Sequence, residues 1–259
     1  MLRKIKHVID CLLPDRRKGK EVKILSRRGL TADEVERRSS RICFDEALGH
    51  ALSSRNIDLV LDVGANIGDY GLLMRRTGYS GEIFSFEPVE EPRKKLEEHA
   101  LNDPFWKVFS FAAGKEKSEL EMTVTNSSLD FSSFLKPNEL FEKRFNYANE
   151  NNELRIIPIE RLDVVLGKTK SFSSATRIFL KTDTQGFDLQ VLEGIGEMLS
   201  QVAAIQIELS LKLIYHESPH YLKTLQFLEE NGFFIAALCP ISKAEDGTLI
   251  EVDSLMLRC

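Results

Sequence analysis

Asp62 to Gly68 join a carboxylate and two glycines at the point where an apolar run stops. The run opens "LVLDVGANIGDYGLLMRRTG", Leu59 to Gly78. Gly64 and Gly68 permit a tight turn and let a ligand approach the backbone closely. A second carboxylate, Glu87, ends "IFSFEP" nineteen residues past Gly68. Further on, "FLKTDTQGFD" puts Lys181 and Asp183 on one face of a strand. Asp188 follows one helical turn later, and Glu208 stands in "IQIEL". Groups of these types can hold a cation, take up a proton or bind a hard metal ion.

A dinucleotide site would place G-x-G-x-x-G after the first strand, but the middle glycine is Asn66 here. A phosphate loop would follow its last glycine with Lys and Ser or Thr, whereas Gly68 is followed by Asp69 and Tyr70. Acidic neighbours suit a positively charged ligand without phosphate. S-adenosylmethionine, with its ammonium and sulfonium, is such a ligand. On this reading Asp62 complements its charge and Glu87 accepts hydrogen bonds from its ribose hydroxyls, as acidic residues do at that place in nucleotide-binding folds. Phe86 and Pro88 are placed to pack on its adenine. The plainer alternative is that Asp62 and Glu87 cap the helices that follow them.

These residues need a frame, and the chain supplies one from Asp58 onward. Short apolar runs alternate with amphipathic segments: "DLVLDV", "EIFSFE" and "WKVFSFAAG", then "RIFLKTD", "AAIQIELS" and "FFIAALC", are strands separated by helices. Such alternation implies βαβ units and a parallel sheet covered on both faces. "TLIEVDSLMLRC" follows its predecessor after a loop too short for a crossover, so it runs antiparallel. Residues 115–160 break the rhythm with the short strands "SELEMTVTN" and "ELRIIPIE" around polar, Ser-rich and aromatic sequence. They read as an insertion over the carboxyl edge of the sheet, where open α/β folds hold ligands. Residues 1–57 read as a helical extension: "MLRKIKHVIDCLLP", a charged connector over 15–28, and a helix from Ala32 to Ser53. The domain proper spans 58–259.

The 259 residues are 42% hydrophobic and 29% charged, enough for a substantial core. A net charge of -5 excludes a general polyanion binder, so no nucleic-acid partner is expected. Residues 1–28 nevertheless carry ten Lys and Arg against Asp10, Asp15 and Glu21, which allows weak contact with an anionic membrane surface. The four cysteines are scattered without a CxxC pair, which fits a reducing, cytoplasmic setting.

"VLDVGANIG", "GEIFSFEPV", "FAAG", "SSLDFSSF", "FLKTDTQGFDLQVLEG" and "IQIELSLKLIY" occur in this order and resemble the FkbM-type methyltransferases. The resemblance runs from about Asp58 to the C-terminus. It implies a class I methyltransferase fold, a Rossmann-like doubly wound α/β sheet of seven strands with the last antiparallel. It also implies S-adenosylmethionine as donor, held by Asp62, Gly64, Asn66, Gly68, Glu87, Pro88 and Ala112. Methylation of a hydroxyl on a sugar, glycan or secondary metabolite follows from the same resemblance.

Transfer from a sulfonium leaves the enzyme to position the acceptor and remove its proton. Asp183 ranks first for that proton or for a metal. Lys181 is a base if burial lowers its pKa, or the partner of Asp183 in a buried ion pair if it does not. Glu208 is the third candidate. A divalent metal held by Asp183, Asp188 and Glu208 is possible without being required. His216 is a weaker candidate base, and His99 is expected to be solvated. The insertion offers Ser127, Ser128, Ser132 and Ser133 for hydrogen bonds and Phe131, Phe134, Phe141, Phe145 and Tyr147 for stacking on an acceptor. A nicotinamide-dependent oxidoreductase and a non-catalytic scaffold are the competing readings. The sequence does not determine the oligomeric state.

Overall fold

The computed structural model describes residues 32–125, 132–145, 152–169 and 176–259. The basic N-terminal stretch and its helix "MLRKIKHVIDCLLP" lie outside the described residues. Helix α1 (Ala32–Ser54) comes first. It is followed by β1 (Leu59–Val63), α2 (Asp69–Arg76), β2 (Glu82–Phe86), α3 (Glu90–Ala100) and β3 (Trp106–Phe109). Next come β4 (Ala112–Ala113), β5 (Ser118–Thr125), α4 (Glu139–Phe145), β6 (Asn152–Glu160) and α5 (Leu162–Gly167). The chain ends with β7 (Ile178–Thr182), α6 (Asp188–Gly194), β8 (Val202–Ser210), α7 (Tyr221–Glu230), β9 (Phe233–Lys243) and β10 (Leu249–Arg258).

The continuous apolar runs become a seven-stranded sheet in the order β3-β2-β1-β7-β8-β10-β9. Neighbours from β3 to β8 are parallel, and β10 lies antiparallel between β8 and β9. This is the class I methyltransferase arrangement expected from the sequence. Every residue of β1 and of β7 is buried, as central parallel strands require. Because side chains alternate in direction, each strand feeds two cores. Leu61, Leu180 and Ile205 pack with Leu162, Leu189 and Leu192 on one face. Val60, Phe179 and Ala204 pack with Phe44, Leu48 and Leu52 of α1 and with Met74 and Leu96 on the other.

Helix α1 is thus seated on the sheet, over β9 and β10. Phe44 and Leu48 are 1% exposed, and burial of each contributes about 1.5–3 kcal/mol. Two ion pairs join it to the last two strands, Arg41 to Asp253 at 2.6 Å and Glu36 to Lys243 at 2.9 Å.

One expected strand divides. "WKVFSFAAG" pairs with β2 only as far as Phe109, after which Ala112 and Ala113 pair with β6 instead. The insertion strands β5 and β6 are antiparallel to each other and complete a second sheet, β4-β6-β5.

Candidate active site

The turn after β1 is built by the backbone. The N–H groups of Gly64 and Ala65 both donate to the Phe86 carbonyl at 3.1 Å, and Asp183 N–H donates to the Val63 carbonyl at 3.1 Å. The tips of β1, β2 and β7 are thereby locked together. Gly64 has φ +72°, and a Cβ on it would lie 2.0 Å from the Asp183 carbonyl oxygen. Only glycine fits there. Asn66 has φ 47° and donates its N–H to Glu87 Oε2 at 2.8 Å. Glu87 Oε1 accepts from Val89 N–H at 2.8 Å, at the start of α3. Burial pushes the Glu87 carboxyl up to about 7, against the pull of those two N–H groups and of Lys181.

A buried polar row supports the turn from below. Trp106 Nε1 donates to Ser85 Oγ at 3.0 Å, and Ser85 Oγ donates to Asp62 Oδ2 at 3.1 Å. Lys181 Nζ lies 3.3 Å from Asp62 Oδ1 and 3.7 Å from Asp183, and donates to the Gly64 carbonyl at 2.9 Å. Burial alone would push the Lys181 ammonium down, but the charges of Asp62 and Asp183 outweigh it and hold its pKa above the usual lysine value. Lys181 therefore stays cationic and ties β7 to β1. Asp62 is fully buried and lines neither cavity described below. Gly68 lines neither as well. Its φ is +91°, and a Cβ there would press on Leu96 Cδ1 at 2.8 Å, so it seats the turn on α3.

Two cavities flank the turn. The first, of about 190 Å3, is lined by Glu87, Pro88, Val89, Ala112, Phe134 and Phe187, among others. The second, of about 840 Å3, lies between the strand tips and α1, with Arg41, Tyr70, Gln206, Glu208 and Asp253 in its wall. Gly64, Asn66 and Asp183 border both.

The family model of the methyltransferase FkbM domain matches residues 62–235. The chain belongs to the FkbM methyltransferase family. The match begins at Asp62, so α1 lies before it and β10 after it. No curated protein sequence matches the chain. Among solved structures it is similar to a protein from Pyrococcus horikoshii assigned as an RNA methyltransferase, at 15% identity over 82% of this chain and 81% of that one, with a TM-score of 0.41. An rRNA methylase from Streptococcus thermophilus is similar at 11% identity over 83% and 93%, with a TM-score of 0.43. A precorrin-6y C5,15-methyltransferase from Geobacter metallireducens is similar at 10% identity over 82% and 86%, with a TM-score of 0.43.

An FkbM methyltransferase uses S-adenosylmethionine, and the residues at the first cavity fit that donor. Glu87 offers a carboxylate fixed by two backbone N–H groups, with lone pairs left for a ribose diol. Pro88, Val89 and Phe134 supply apolar wall for a base. Gly64 clears the backbone. Phe86 is fully buried and stacks on Phe109 at 4.9 Å.

The remaining candidates separate. Asp188 borders neither cavity; it accepts from Thr182 Oγ1 at 2.7 Å and from Thr184 N–H at 3.1 Å, and so fixes the turn before α6. No group of three or more His, Cys, Asp or Glu among the described residues is arranged to hold a metal. Glu208 stays beside Asp183 in the second cavity. Burial, then the charges of Asp183 and Glu251 and a hydrogen bond to Glu251, push its carboxyl well above the ordinary glutamate value. His216 is exposed and borders neither cavity. His99 is exposed but also contacts the Ile67 carbonyl through Nδ1 at 2.9 Å.

In the insertion, Phe134 packs on Phe187 at 4.9 Å and Ser133 Oγ donates to the Gln185 carbonyl at 2.9 Å. Ser132 Oγ accepts from Thr125 N–H at 3.2 Å. Phe141 is 1% exposed in a cluster with Ile214, Tyr215 and Ile250, so it is core and cannot stack on an acceptor. Ser127, Ser128, Phe131, Tyr147 and the Phe145 side chain lie outside the described residues. Sequence reasoning missed Arg41, Tyr70, Gln206 and Asp253. Only Gln206 carried a signal, a polar residue two before Glu208 in an otherwise apolar strand.

Proposed function

We infer that the protein transfers a methyl group from S-adenosylmethionine to a hydroxyl of a sugar, glycan or secondary metabolite. The observation that supports this reading most is Asp183. It borders both cavities, on the same strand face as Lys181 and beside Glu208 on the neighbouring strand. The donor supplies an activated methyl on a sulfonium. An alcohol needs its proton drawn off as it becomes a nucleophile, and a carboxylate at hydrogen-bond reach is suited to take it. Asp183 fills that role, with Gln185 Nε2 donating to its Oδ1 at 3.3 Å and the Lys181 ammonium 3.7 Å from its Oδ2. Glu208, held protonated more readily, is placed to pass the proton on.

Incubation of the purified chain with radiolabelled donor and a panel of free sugars, nucleotide sugars, oligosaccharides and polyketide alcohols tests the reading. A methyl ether, identified by NMR and lost in Asp183→Asn with donor affinity retained, is the expected product. Label found only on nitrogen or carbon would overturn it.

A further inference from the structure

The second cavity is more than an extension of the first. Its outer wall is α1, which precedes the FkbM match, and part of its floor is Asp253 of β10, which follows it. Arg41 and Asp45, one helical turn apart, reach it from α1, and Arg41 is fixed by Asp253 at 2.6 Å. Gln206 lies in the floor and is only 7% exposed. Its Oε1 accepts from Tyr70 OH at 2.8 Å, and no described residue accepts from its amide N–H groups. The amide nitrogen is not sealed in the core but opens to the cavity, where an oxygen of a bound ligand would accept from it. Glu208 follows two residues later on the same strand face, about 7 Å along by strand geometry. One wall thus offers an amide donor and, next to it, the Glu208 carboxyl group.

The charge is one-sided as well. The lining carries five carboxyl groups against three cations, and four against three once Glu208, whose pKa is raised, is set aside. Two of the cations are engaged, Arg41 by Asp253 and Lys181 by Asp62 and Asp183.

We propose that this chamber is the acceptor site, closed by α1, and that Gln206 donates to an oxygen of a polyhydroxylated acceptor bearing an amine. The proposal rests on the methyltransferase reading given above and narrows its substrate class. It moves the acceptor away from the β5–β6 insertion, which sequence alone favoured, to the opposite side of the glycine turn.

The test uses the full chain saturated with S-adenosylhomocysteine and three probes of one size: glucosamine, glucose and glucuronic acid. Calorimetry is expected to rank them in that order, with about a tenfold difference between the first and last, since one charge is reversed near a partly shielded acidic wall. Crystals soaked with glucosamine should show it between Gln206, Glu208 and α1. Gln206→Leu should weaken glucosamine and glucose about tenfold each, the loss of one hydrogen bond, and leave the S-adenosylhomocysteine affinity within twofold. Asp45→Lys, on the helix surface and clear of the donor cavity, should reverse the ranking even if Gln206→Leu folds poorly. A sugar seated against β5 and β6, glucuronic acid bound as tightly as glucosamine, or no binding of any probe would each overturn the proposal. These readouts locate the site whether or not a methyl group moves, so failure of the O-methylation reading would appear separately, as absence of a methyl ether in the transfer assay.

Discussion

The two cavities meet at Gly64, Asn66 and Asp183 but are made of different material. The first cavity, to which we assign the donor, is a backbone construction. Its key carboxylate, Glu87, is held by the N–H groups of Asn66 and Val89, and its closest approach is set by a glycine against the Asp183 carbonyl. The acceptor chamber is a side-chain construction, with Arg41, Tyr70, Gln206, Glu208 and Asp253 arriving from four separate elements. Backbone geometry tolerates few replacements, while side chains on a fixed frame exchange freely. The difference teaches where such a fold keeps its common chemistry and where it can change its substrate.

The sharpest way to break the comparison is at Lys181, which serves both halves. It neutralises fully buried Asp62 under the donor turn and faces Asp183 at the junction. Lys181→Met leaves Asp62 buried without its cation. Loss of about 3–5 kcal/mol in urea denaturation is expected, together with loss of donor binding. The double variant Asp62→Asn with Lys181→Met should recover part of the stability, since the two residues share one interaction. A single variant as stable as the parent would show that the row below the turn carries no charge.

The next effect belongs to the donor side alone and is read from pH. With its carboxyl raised to about 7, Glu87 is protonated in about nine molecules of ten at pH 6 and ionised in about nine of ten at pH 8. If a ribose diol donates to the ionised form, S-adenosylhomocysteine should bind about tenfold more tightly at pH 8 than at pH 6, with proton release on binding near pH 7. Stability of the ligand-free chain moves oppositely. A carboxyl raised on folding contributes stability that is fully present below its unfolded value, about 4.5, and lost as pH rises through about 7. An affinity that does not change between pH 6 and 8 would remove Glu87 from the donor site.

The same contrast explains what the sequence disclosed. The donor half was legible because each part is a contiguous segment: an apolar run, a glycine turn, and a carboxylate at the next strand tip. The parallel sheet followed from the alternation of runs and helices, the seven strands from the family resemblance, and the antiparallel β10 from the short loop at Asp246 and Gly247. Local pattern could not show that Arg41 meets Asp253, because 212 positions separate them and only the seating of α1 on β9 and β10 joins them. Nor could it show that Asp188 turns to Thr182 rather than toward Glu208, since that depends on which face of β7 the following turn selects. Phe141 and Phe134 look alike in the sequence, yet one fills a core and the other lines the donor cavity.

The mildest perturbation sharpens the comparison most. The Arg41 side chain is 42% exposed, so its ion pair with Asp253 is partly screened and contributes at most about 1 kcal/mol. Arg41→Met keeps the aliphatic stem against the sheet and removes the charge. Thermal stability should fall by only a few degrees, and S-adenosylhomocysteine affinity should stay unchanged, because among the described residues the hydrogen bond and ion pair of Arg41 go to Asp253, outside the donor cavity. The acceptor chamber, by contrast, loses a cation and frees Asp253, so glucosamine should bind more tightly in the variant than in the parent. A fall in donor affinity equal to any change in glucosamine affinity would mean that α1 supports both cavities alike, and the division between a fixed donor half and an adaptable acceptor half would not hold.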